Sequence, residues 1–187
     1  MRRRTLFTAC AALGLAGIDP PAFAQAPATD PENTLYMDLK YGRVVIMLLP
    51  DVAPKHVAQI KTLARQGFYD GTPFHRVIQG FMAQGGDPTG TGTGGSKLPN
   101  LPAEFSQLHF VRGVCGMART SDPNSANSQF FIMFAPAPAL DGKYTIWGRV
   151  VRGMDYVDQI KRGAGPNGQV LGEPDRIIHM RVAADVK

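Results

Sequence analysis

Apolar and polar positions in this chain alternate in short stretches of period two more often than in the longer period of a helix. Leu35, Met37 and Leu39 alternate with polar partners and 44–49 is almost continuously apolar, so the Tyr41-Gly42 pair between them predicts a hairpin. Behind Pro54, the residues Val57, Ile60 and Ala64 recur at helical spacing, and Gly67 is placed to end that helix. Two short strands face each other across Gln79-Gly80. The stretches 114–118, 130–134 and 144–151 read as further strands, and 177–186 as a last one. Met154, Val157 and Ile160 predict a second short helix, with Lys161 and Arg162 set against its C-terminal dipole. Between these elements, 85–96 holds six glycines and no large apolar residue, while Pro99 and Pro102 make 98–110 irregular. Many short strands, two helices and Gly/Pro turns together predict a mainly β domain, a barrel or sandwich.

Two places in the pattern carry more than packing. In Gln129-Phe130-Phe131-Ile132, alternation puts Gln129 and Phe131 on one face and Phe130 and Ile132 on the other, so one phenylalanine fills the core while its neighbour lines a surface. The stretch from Phe74 to Asp87, F-H-R-V-I-Q-G-F-M-A-Q-G-G-D, sets the single cation Arg76 among apolar and amide side chains. In an extended strand Phe74, Arg76 and Ile78 share a face. Pairing across Gln79-Gly80 then sets Arg76 beside an apolar floor and an amide able to hold its guanidinium; the alternative is an edge arginine pointing into water.

Composition narrows the choices. With 187 residues, 44% of them hydrophobic, the chain suffices for one domain with a substantial core. The arginines at 2–4, the apolar run 6–18 and the sequence Ala22-Phe23-Ala24 form an export-signal pattern, with cleavage expected after Ala24. Arg3-Arg4 also fits a twin-arginine signal loosely. The expected organisation is a signal peptide over 1–24, a flexible linker over 25–33 and a folded domain over 34–187, delivered to the periplasm without a permanent membrane anchor. Cleavage removes three arginines and Asp19, leaving 17 basic and 14 acidic side chains and a net charge of +3. That balance, with no basic cluster interleaved with aromatics, argues against a nucleic-acid partner. Only Cys115 remains after cleavage, so no intramolecular disulfide can form. The glycine run lacks both G-x-G-x-x-G and G-K-[ST], no serine sits in G-x-S-x-G, and His56, His75, His109 and His179 lack metal-ligand spacing. Phosphate-cradle, nucleophilic and metal chemistries therefore find little support, and no cofactor is expected.

The 74–87 stretch, followed by N-S-Q-F-F-I at 127–132, resembles the signature of the cyclophilin family of peptidyl-prolyl isomerases, and the resemblance extends from about Leu35 to Val186. It implies a closed eight-stranded antiparallel β-barrel capped by two helices. It also implies a substrate groove formed by Arg76, Phe81, Met82, Gln84, Ala118, Arg119, Gln129, Phe131, Leu140 and Tyr144, acting on proline-containing, unfolded or flexible polypeptides as a monomer. Arg76 is the implied catalytic residue. Rotation of an Xaa-Pro amide breaks no bond, but at the twisted transition state the proline nitrogen regains a lone pair that a guanidinium can hydrogen-bond. A peptide-binding chaperone that kept the groove with little isomerase activity is the rival reading. The sequence departs from many members at the groove rim: Ala139 stands where Trp is common, Tyr144 where His is common, and Met117-Ala118-Arg119 where M-A-N is familiar.

Overall fold

The computed structural model describes residues 30–186. The predicted signal peptide lies outside these residues, as does most of the predicted linker. The end of that linker departs from expectation, because Pro31–Asn33 forms a 3-10 turn capped by Asp30. Lys61 and Arg65 both reach the Glu32 carboxylate and tie this turn to the first helix.

Strands β1 (Thr34–Leu39) and β2 (Gly42–Leu48) form the predicted hairpin. Helix α1 (Pro54–Arg65) follows; no side chain of its own caps its first turn, and Glu104 does so from the irregular 98–113 segment. The Glu104 carboxylate accepts from the amides of Lys55 and His56, both at 3.1 Å, and from His56 Nδ1 at 2.6 Å. A carboxylate there satisfies free amides and complements the helix dipole. Gly67, at φ 67, turns the chain out of the helix.

β3 (Arg76–Ile78) and β4 (Met82–Gly85) pair across Gln79-Gly80, followed by β5 (Val114–Met117), β6 (Phe130–Met133), β7 (Ile146–Arg152) and β8 (His179–Val182). All eight strands join one antiparallel sheet in the order β3-β4-β6-β5-β7-β2-β1-β8. The expected closed barrel is corrected to a curled, open half-barrel. No ladder joins β3 to β8 among the described residues; isolated bridges at Pro73–Arg176 and Arg76–Gln169 span that side instead. The curl is helped by register shifts between Val45 and Ile46 and between Cys115 and Gly116, since a bulge increases local bend and twist.

Inside the curl, Leu35, Met37, Ile46, Phe130, Ile132 and Trp147 pack with Val57, Ile60 and Leu63 of α1. Phe74 joins this core. It precedes β3 in an irregular stretch, so the strand alternation that paired it with Arg76 does not reach it. A second cluster, Met82, Phe110, Val114, Phe131, Met133 and Ile146, lies on the other face of the sheet. The second helix, α2 (Met154–Val157), is a single turn. Beyond it the Lys161 amide donates to the Asp175 carboxylate and Arg162 Nε to Gln79 Oε1.

A candidate active site on the outer face of the sheet

The β3–β4 register sets Arg76 opposite Gln84 and Ile78 opposite Met82, so these four side chains share the outer face while Val77 and Ala83 point into the core. The Arg76 guanidinium is held on two sides. Its Nε donates to the carbonyl of Asn167 at 2.8 Å and its Nη1 to Gln84 Oε1 at 3.1 Å, while Nη2 has no partner among the described residues. The amide chain continues: Gln84 Nε2 donates to Gln129 Oε1 at 3.0 Å, and Gln129 Nε2 to the carbonyls of Gly92 and Gly94 at 3.0 and 2.8 Å. One line of hydrogen bonds thus runs from the guanidinium to the glycine loop.

That loop is anchored from below by Asp87, fully buried, whose carboxylate accepts from the amides of Thr89, Gly92 and Gly94 and from the Thr89 hydroxyl. Burial alone pushes its pKa up; the four donors prevail and hold it below the ordinary carboxylate value.

Beside Arg76 opens a cavity of about 310 Å³ lined by Arg76, Phe81, Met82, Gln84, Ala118, Arg119, Phe131, Leu140 and Tyr144. Its floor is aromatic. Phe131 stacks on Phe110 with ring centres 5.6 Å apart and meets the edge of Tyr144 at 5.9 Å. Gly116 makes this stack possible: a Cβ there would stand 2.4 Å from Phe131 and 2.7 Å from Phe110. Gln129, the remaining residue of the expected groove, lies in an adjoining cavity of about 480 Å³ with the glycine loop, Asn127 and Ser125. Gln84, Ala118 and Arg119 belong to both cavities and form the wall between them. Chemically, the first cavity offers an apolar recess of ring size between two fixed cations, Arg76 and Arg119, of which Arg76 keeps both N–H groups of Nη2 free.

The family model described as "Cyclophilin type peptidyl-prolyl cis-trans isomerase/CLD" matches residues 34–182, which is most of the chain. The chain belongs to the cyclophilin family. A probable peptidyl-prolyl cis-trans isomerase of Brucella suis is 52% identical over 191 residues, covering 96% of this chain and 97% of that protein. An Arabidopsis thaliana peptidyl-prolyl cis-trans isomerase is 43% identical, covering 75% of this chain and 89% of its own. Among solved structures, a cyclophilin from Hirschia baltica superposes with a TM-score of 0.73 at 32% identity, covering 84% of this chain and 76% of that one. A Cryptosporidium parvum cyclophilin-type isomerase, crystallised in the presence of the dipeptide Ala-Pro, gives a TM-score of 0.73 at 30% identity, covering 80% and 98%.

At the rim of this cyclophilin, Ala139 and Tyr144 behave differently. Ala139 is exposed within the 3-10 turn Pro138–Leu140 and lines neither cavity described above, whereas Tyr144 is half-buried between Phe131 and Arg119. The Arg119 guanidinium lies over the Tyr144 ring, 4.4 Å from its centre. Its N–H groups donate to the carbonyls of Lys143, Thr120 and Ser121. Sequence reasoning missed Phe110, Gly116 and Asn167. Phe110 and Asn167 come from irregular segments with no periodicity to read, although Asn167-Gly168 is a recognisable turn pair.

Proposed function

We propose that this cyclophilin accelerates cis-trans rotation of Xaa-Pro bonds in flexible segments of exported polypeptides. Arg76 donates a hydrogen bond to the proline nitrogen in mid-rotation. The observation that carries this reading is the unpartnered Nη2 of Arg76 beside a ring-sized apolar recess formed by Phe81, Met82, Phe131 and Leu140. A planar amide nitrogen is a poor acceptor. The pyramidal nitrogen of the twisted bond is a good one, so the guanidinium binds the transition state more strongly than either isomer and lowers the barrier of roughly 18–20 kcal/mol. Because Gln84 and the Asn167 carbonyl already fix Nη1 and Nε, little reorganisation is needed at the moment of reaction. The recess orients the ring, and the backbone at Arg119 pairs with the peptide. No covalent intermediate is involved.

The Ala-Pro dipeptide named with the Cryptosporidium structure supports a proline-containing substrate here. The export pattern at 1–24 supports delivery to the periplasm, which N-terminal sequencing of the mature protein tests by a start at Gln25. Activity is tested with the purified protein and a short Xaa-Pro peptide. Wild type should accelerate isomerisation, and Arg76→Ala should lower kcat/KM by about 10²–10³-fold, as loss of a transition-state donor does, with an unchanged circular dichroism spectrum. Equal rates for wild type and Arg76→Ala would exclude the mechanism. An inactive wild type that still binds proline peptides would favour the scaffold role.

A further inference from the structure

Neither cavity of the groove is lined by a carboxylate, and both are lined by Arg119. Among the described residues, Arg76 and Arg119 have no carboxylate oxygen within 4.0 Å, in contrast to Arg43, Arg65, Arg112 and Arg181, each of which is paired with an aspartate or glutamate. The other arginines without such a partner do not share this setting: Arg149, Arg152 and Arg176 are exposed and Arg162 packs over Phe134, away from both cavities. Arg119 is half-buried, fixed in place by neutral groups alone: three backbone carbonyls and the face of Tyr144. Holding a cation on carbonyls and a ring spends side-chain entropy in advance and leaves the charge uncompensated, so an incoming anion gains its attraction at reduced ordering cost.

Resting on the isomerase reading above, we infer that Arg119 is a specificity-determining residue that favours substrates with an acidic side chain within two residues of the proline. The reach follows from geometry. Arg119 walls the same recess that receives the ring, and an extended peptide advances only about 3.3 Å per residue, so neighbouring side chains pass the guanidinium. The carboxylate takes an N–H that the carbonyls leave free and adds charge attraction in the half-buried wall, while a lysine in the same position is repelled. Arg76 contributes to the same field, but its free Nη2 is directed to the reacting nitrogen in the reading above.

The test uses matched Xaa-Pro peptides carrying Glu, Gln or Lys at each of the two positions before and the two after the proline. Both kcat/KM and binding, by peptide fluorescence anisotropy, are measured. At one or more positions wild type should prefer Glu to Gln by about threefold at low salt, the scale of a partly exposed ion pair. That preference should fade towards 1 M salt, where screening acts within about 3 Å. Because Arg119 also shapes the groove, the informative readout is the Glu/Gln ratio and not the absolute rate. Arg119→Gln should bring the ratio to one, Arg119→Lys should retain part of it, and Arg119→Glu should turn the preference towards Lys peptides. A wild-type ratio of one at every position, or a preference that survives in Arg119→Gln, overturns the assignment. If no peptide is isomerised, the isomerase reading fails, and the anisotropy ratios still decide whether Arg119 selects acidic segments.

Discussion

The acceptors that hold Arg76, which are the Asn167 carbonyl, Gln84 Oε1 and the Met82 sulfur, are all neutral, and the first is a backbone carbonyl from a residue 91 positions away. That carbonyl belongs to Asn167, at φ 55, a left-handed conformation that asparagine tolerates and β-branched residues resist. Asn167→Val should therefore displace the carbonyl and loosen the guanidinium. We expect about a tenfold loss of kcat/KM with the fold retained, and near wild-type activity for Asn167→Gly, checked by peptide isomerisation and circular dichroism; the strain involved is on the order of 1–3 kcal/mol. At this scale the sequence was legible where chemistry and alternation coincide. Arg76, Gln84 and Met82 could be read from one stretch because pairing across a tight turn sets their faces. Asn167 could not, since a carbonyl donated by a distant turn has no side-chain signature.

Elements show the same divide. The β1–β2 and β3–β4 hairpins and α1 follow local rules and appear where the pattern put them. Short helix α2 also appears at Met154 but ends at Val157, before Ile160, and the residues beyond it turn to Asp175 and Gln79, partners that periodicity cannot see. β5 carries a subtler requirement. Gly116 breaks an otherwise apolar strand, and its missing side chain is the space in which Phe131 and Phe110 stack. Gly116→Ala should push both rings into the recess or out of register. Overpacking of this kind costs about 1–3 kcal/mol, and we expect a lower melting temperature together with weaker binding of Xaa-Pro peptides in a fluorescence titration.

Across the whole molecule, the open side of the half-barrel depends on side chains as well as ladders. Asp70, in the turn after α1, accepts from the Met180 amide and from the Arg181 guanidinium of β8, the edge strand. The Arg181 hydrogen bonds lower its pKa to about 2. A depressed carboxylate stabilises the fold fully above its unfolded value of about 4 and loses that contribution as the pH falls towards 2. Discounted for partial exposure, the contribution is about 1 kcal/mol. Urea unfolding should therefore show Asp70→Asn less stable than wild type at pH 6 and nearly equal to it at pH 2. The sequence made the strand inventory legible; it did not reveal that the sheet stays open, because closure depends on whether the first and last strands meet. Cys115 sits on β5 near the middle of that sheet, fully buried, with its thiol pKa raised by burial. In the chain lacking 1–24 it is the single sulfhydryl, so an alkylating reagent reaches it only when the strands part, and the rate of alkylation becomes a clock for opening of the sheet, readable by mass in the presence or absence of any peptide.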